Sequence, residues 1–168
     1  MGNAKSIIIE FKNFDKPLII KDQTRSYNRY NYKNDFELSI DYFKKGPLGA
    51  ELLAIKLVDK NLQNLIDAKD KLENFSNDLC DRITYLTESF RLIEMDSKNK
   101  KAQIRSYPPF VKQNKKLFFE IVINGPECSL LLSRKIYDNF TRSTKPVSFI
   151  LNDEILERII ADLILQNA

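Results

Sequence analysis

Between Tyr27 and Tyr42 the chain alternates with a period of two, and that alternation constrains the fold more than any other feature. In Phe36-Glu37-Leu38-Ser39-Ile40-Asp41-Tyr42 apolar and polar residues change places at every step, and in Tyr27-Asn28-Arg29-Tyr30-Asn31-Tyr32 the aromatics nearly alternate. Successive side chains of a strand point to opposite faces, so a segment of this kind buries one face and shows the other. Asn34-Asp35 supplies turn chemistry between the two runs, and a β-hairpin with a half-buried second strand is expected.

The flanking segments extend the pattern. Ser6-Ile7-Ile8-Ile9-Glu10-Phe11 and Pro17-Leu18-Ile19-Ile20 are rich in branched apolar residues and read as strands. After the turn Gly46-Pro47-Leu48-Gly49, residues 51–58 read as another. From Leu62 to Ile93, apolar residues fill positions 62, 65, 72, 79, 83, 86, 90 and 93 of a heptad register, missing only at Lys69 and Ser76. That spacing predicts one long helix, or two broken near 74–77 with Ser76 capping the second. Packing of the stripe on the protein's own sheet is the plain reading, and an intermolecular coiled coil is the sharper one. A polar linker at 97–101 precedes strand signals at 102–107, 117–123, 128–133 and 146–151, with Asn124-Gly125-Pro126 as a hairpin turn. Asn152 or Asp153 then caps a helix carrying Ile155, Leu156, Ile159, Ile160, Leu163 and Ile164.

The fold class expected is therefore α+β, mainly antiparallel sheet, with one long central helix or a broken pair and a C-terminal helix. The order is roughly four or five strands, helix, four strands, helix. A length of 168 residues suits one domain, 1–168, with possible halves 1–96 and 97–168. Four strands followed by a helix, twice over, is similar in element order to the Whirly proteins and the PUR-repeat proteins, two families of single-stranded nucleic-acid binders. The resemblance is topological: the chain has no Lys-Gly-Lys-Ala-Ala-Leu string like that of plant Whirly proteins, and its halves show no evident repeat.

Chemistry is narrowed mostly by what is missing. The sequence contains no histidine, which removes imidazole general bases, Ser-His-Asp and Cys-His arrangements, and the usual His-containing zinc sites. Its four glycines, at 2, 46, 49 and 125, form no phosphate loop. Cys80 and Cys128 stand alone and read as buried free thiols in a reducing, cytoplasmic setting, with no metal and no cofactor. Glu10-Phe11-Lys12 matches the acid-x-Lys element of many metal-dependent nucleases, yet no acidic residue precedes it. The acids Asp67, Asp70, Asp78 and Asp81 read as a solvated helix face. A non-enzymatic protein is the expectation. No apolar run approaches a membrane span. Met1-Gly2-Asn3-Ala4-Lys5-Ser6 fits the N-myristoylation pattern.

The net charge of +4 conceals a marked asymmetry, for residues 98–146 hold 11 basic and 3 acidic residues while 47–97 hold 6 and 10. The basic segments are interleaved with rings, and from them come the candidate nucleic-acid-binding residues: Arg25, Tyr27 and Arg29 in the first, Arg105, Tyr107, Lys112, Lys115 and Lys116 in the second, Arg134 and Lys135 in the third. Single-stranded nucleic acid asks for that mixture, since cations follow phosphates while rings stack on bases. Sheet packing and edge protection use the same residue types. The alternative function is a protein-interaction module of inhibitor, immunity or adaptor type, using the 62–93 stripe or a sheet edge. A homo-oligomer is also compatible with the stripe.

Overall fold

A computed structural model describes the backbone of residues 2–165 and side chains from Ala4 onward. It is a mixed α+β structure whose strands, all paired antiparallel, form one sheet in the order β1-β2-β3-β4-β9-β8-β6-β5. The first half of the chain contributes β1 (Leu18–Lys21), β2 (Ser26–Lys33), β3 (Glu37–Lys45) and β4 (Gly49–Val58) as a meander. The second contributes β5 (Ser89–Asp96), β6 (Lys101–Tyr107), β8 (Lys115–Asn124) and β9 (Ser129–Asp138), with the short β7 (Phe110–Lys112) beside β8. The two meanders join where β4 pairs β9, Ala54 opposite Ser133. Beyond that point they part, and β10 (Ser143–Val147) on β9 and β11 (Phe149–Asn152) on β4 fill the fork.

Four helices among the described residues cover one face: α1 (Gly2–Asn13), α2 (Leu62–Leu65), α3 (Lys69–Arg82) and α4 (Asp153–Leu163). Beneath them runs a cross-strand row of apolar side chains, Tyr30, Ile40, Ile55, Leu132, Ile121, Ile104 and Leu92. The helices answer with Ile7, Ile8 and Phe11, with Leu72 and Leu79, and with Leu156, Ile159, Ile160 and Leu163, all buried. Each such side chain taken out of water contributes roughly 1.5–3 kcal/mol. This core is what fixes the register, because a slip of one residue exchanges the two faces.

Two expectations from sequence are overturned. Residues 6–11 are not a strand but the body of α1, where Ala4, Ile7, Ile8 and Phe11 are buried at helical spacing and Ile9 is 54 % exposed. Docking of that stripe on Tyr30 and Tyr42 outweighs the strand preference of three consecutive isoleucines. The stretch 62–93 is not one long helix, nor two broken at 74–77. Its break falls between α2 and α3 near Lys69, α3 stops at Arg82, and Phe90 and Ile93 lie on β5. Ser76 sits buried inside α3 with its hydroxyl donating to the Leu72 carbonyl at 2.7 Å, so it caps nothing. The element order also differs, with a leading helix and seven strands in the second half. At the C-terminal helix Asn152 caps α4, its Oδ1 accepting from the Ile155 amide at 2.8 Å. No helix among the described residues is long and apolar enough to cross a membrane. Of the myristoylation pattern, Met1 lies outside the described residues and Gly2 opens α1.

Candidate nucleic-acid interface

The sheet face away from the helices is polar. One row crosses all eight strands of the main order: Leu18, Arg29, Asp41, Ala54, Ser133, Glu120, Arg105 and Arg91. It reads nearly the same from both ends of the sheet. Reversing the strand order exchanges the two meanders, and it superposes Arg29, Asp41 and Lys56 of the first on Arg105, Glu120 and Lys135 of the second. Even the strand ends match, since Asp59 Oδ1 accepts from the Asn61 amide at 2.9 Å and Asp138 Oδ1 from the Phe140 amide at 2.8 Å. The two meanders thus repeat one strand order and one charge pattern about their junction, the second beginning at β5.

The two Arg–carboxylate pairs differ in closure. Arg29 clasps Asp41 with two hydrogen bonds, Nε to Oδ1 at 2.7 Å and Nη2 to Oδ2 at 3.1 Å. That hydrogen bonding raises the Arg29 pKa further above its ordinary value. Arg105 reaches Glu120 only through Nε, at 3.4 Å, because Gln103 Nε2 donates to the same carboxylate oxygen at 2.6 Å. The Arg105 guanidinium lies 4.7 Å from the Phe118 ring centroid, and among the described residues its Nη groups have no hydrogen-bond acceptor.

Along this face the charge is not repeated. On the Asn31 side of the central row, Lys33, Lys56 and Lys101 are balanced by Glu37, Glu94 and Asp96. On the Tyr27 side basic and aromatic residues gather. Arg25, Tyr27, Arg29 and Lys135 line one groove of about 470 Å³ with Asp41 and Pro146, and the groove runs on past the central row to Lys56 and Glu37. Arg105, Tyr107 and Lys116 line a second, of about 370 Å³, with Ile93, Phe118, Tyr137 and Thr144. The grooves adjoin through β8 and β9, where Lys135 faces Phe118 and Tyr137 faces Lys116. Lys112 and Lys115 face each other, exposed, in the β7–β8 hairpin at the same end. Arg25 bonds Asp22 at 3.2 Å and lies over Tyr27, while Arg91 lies 3.8 Å over Tyr107.

Of the ten residues singled out from sequence, seven line these grooves and two stand in the hairpin beside them. Arg134 does not join them: it turns to the helix-covered face, pairs with Glu88 at 3.3 Å and stacks over Phe119 at 4.3 Å. It occupies the repeat position of Ile55, so an ion pair there replaces an apolar core contact. Sequence reasoning missed Phe118 and Lys56, whose placement depends on the β4–β9 junction and leaves no local signal, whereas Tyr137 stands in the basic-aromatic run Arg134-Lys135-Ile136-Tyr137 that the sequence shows. Neither cysteine is part of the site, and burial pushes the Cys80 thiol up to about 11. Among the described residues no group of three His, Cys, Asp or Glu could hold a metal ion.

Fold and site together describe an antiparallel sheet with helices on one face and a basic-aromatic band across the other. Comparison of the chain with protein-family models, with curated proteins and with solved structures finds no match. The functional reading therefore rests on the residues themselves.

Proposed function

We propose that this protein is a non-enzymatic binder of single-stranded nucleic acid, which it takes across the strands along the basic-aromatic band. The observation that carries the reading is convergence: Arg25, Tyr27, Arg29 and Arg105, Tyr107, Lys116, Lys135, far apart in sequence, line adjoining grooves on one uncovered face. From β2 to β6 the band crosses five strand spacings, roughly 24 Å, a length matching about four extended nucleotides. Arg29 is closed onto Asp41, so phosphate neutralisation falls to Lys116, Lys135 and the open side of Arg105. Tyr107 and Tyr27 are the rings available for stacking.

Fluorescence anisotropy with labelled single-stranded and duplex oligonucleotides tests this. The expected result is binding that prefers the single strand and weakens steeply between about 50 and 200 mM salt. Salt-insensitive binding, or none at low salt, contradicts it.

A protein-interaction role has one foothold. The 62–93 stripe is spent internally, with Leu62, Leu72, Leu79 and Ile83 buried, but edge strand β1 exposes Leu18 by 57 % and Ile19 by 65 %. A partner added to that edge is lost on changing Ile19 to Lys and is indifferent to Lys116→Glu.

A further inference from the structure

We infer that the cleft between β5, β6 and β8 is a subsite for one nucleotide, base against Tyr107 and phosphate on Arg105 and Lys116. The inference rests on the single-strand reading and gives it a fixed anchoring point. The cleft holds about 370 Å³, near the lower end of ligand pockets, which run to about 300–1,000 Å³. That is room for one nucleotide rather than a run of them. Its walls are mostly apolar or aromatic, Ile93, Tyr107, Phe118 and Tyr137 among them, with Ser106 and Thr144 neutral and polar, while its two charged lining residues, Arg105 and Lys116, are both cations. Such a lining selects a flat, apolar ring joined to an anion.

The two chemical halves of the cleft are separately prepared. Tyr107 is 48 % exposed although the Arg91 guanidinium lies 3.8 Å over its ring, so one face is covered by a cation and the ring still presents surface to a base. Phe118 is held beneath Arg105 and is 7 % exposed, which makes it a floor rather than a stacking partner. Glu120, the carboxylate behind Arg105, is occupied by Gln103 at 2.6 Å. Arg105 is therefore left with donors for an incoming phosphate. The matching place in the first meander lacks this combination: Arg29 is closed onto Asp41, and both Glu37 and Asp41 line that groove.

Titrating the full chain with adenosine 5′-monophosphate, adenosine and inorganic phosphate, by isothermal calorimetry or by amide shifts in NMR spectra, tests the subsite. The monophosphate is expected to bind about tenfold more tightly than either fragment, since stack and charge act together. Lys116→Glu and Tyr107→Ala are each expected to weaken it by about five- to tenfold, with Lys101→Glu on the charge-balanced side leaving it unchanged. Thermal melting of each variant confirms that the fold survives. Phosphate binding as tightly as the nucleotide overturns the base half of the proposal. Equal losses from Lys101→Glu and Lys116→Glu overturn the location. Oligonucleotide binding that is undiminished by Tyr107→Ala, with no mononucleotide bound, overturns the subsite and leaves the wider reading standing. Absence of both kinds of binding overturns both.

Discussion

The two meanders offer the same charged triple, Arg29, Asp41 and Lys56 against Arg105, Glu120 and Lys135, yet one Arg–carboxylate pair is closed and the other loose. What recurs in both halves answers a need both halves share. Asp41 and Glu120 are each less than a tenth exposed within the sheet, and a carboxylate so placed requires a donor. What does not recur answers a need of one place only: Lys116, Tyr107, Tyr137 and the loosened Arg105 have no counterpart of their kind across the junction. Apart from Lys135, which recurs as Lys56 and yet lies in the band, the repeat thus separates residues that hold the sheet from residues available to a ligand, although both sorts look alike in sequence.

Substitutions that break the comparison should sort accordingly. The largest effect is expected at Arg134, where alanine strands Glu88 at 9 % side-chain exposure without its cation and costs about 3 kcal/mol of stability. Chemical denaturation measures it, and oligonucleotide affinity, corrected for folded fraction, should not move. Arg29→Ala is expected to cost about 2 kcal/mol, because both bonds to the buried Asp41 are lost. Next in size is Lys116→Glu, which should weaken single-strand binding by about tenfold at low salt with stability unchanged; anisotropy and melting together decide it. Arg105→Ala should cost less than about 1 kcal/mol, since Glu120 keeps Gln103, while reducing binding. Smallest is Lys101→Glu on the charge-balanced side, expected to alter affinity by less than about twofold. Equal destabilisation by Arg29→Ala and Arg105→Ala would remove the distinction between closed and loose pairs.

How far the sequence foretold this structure depended on whether the deciding contacts were local. The alternation at 27–42 gave β2 and β3 their faces, so Tyr27 with Arg29 on one side and Tyr30 with Tyr32 on the other could be read directly. The α4 stripe and its Asn152 cap were equally legible. Residues 6–11 misled because a run of isoleucines fits strand propensity, while the stripe at 4, 7, 8 and 11 acquires meaning only against Tyr30 and Tyr42. The heptad at 62–93 misled because buried Leu62 on α2, Leu72 and Leu79 on α3, Ile83 just after it and Phe90 on β5 mimic one period by falling on one core, while Ile93 is exposed on the other face. The plainest trace of the repeat in sequence is Leu52-Leu53-Ala54-Ile55-Lys56 beside Leu131-Leu132-Ser133-Arg134-Lys135. Basic-aromatic interleaving was visible; its convergence was not, because it is created by the pairing of Ala54 with Ser133 across the chain.

Amide chemical-shift mapping with a short single-stranded oligonucleotide tests the central claim most directly. The expected perturbations fall on Tyr27, Lys135, Lys116, Tyr107 and their strand neighbours, leaving α3 and α4 unmoved. Perturbations confined to the helix-covered face, to the β1 edge or to the Lys33–Lys101 side of the sheet would contradict it.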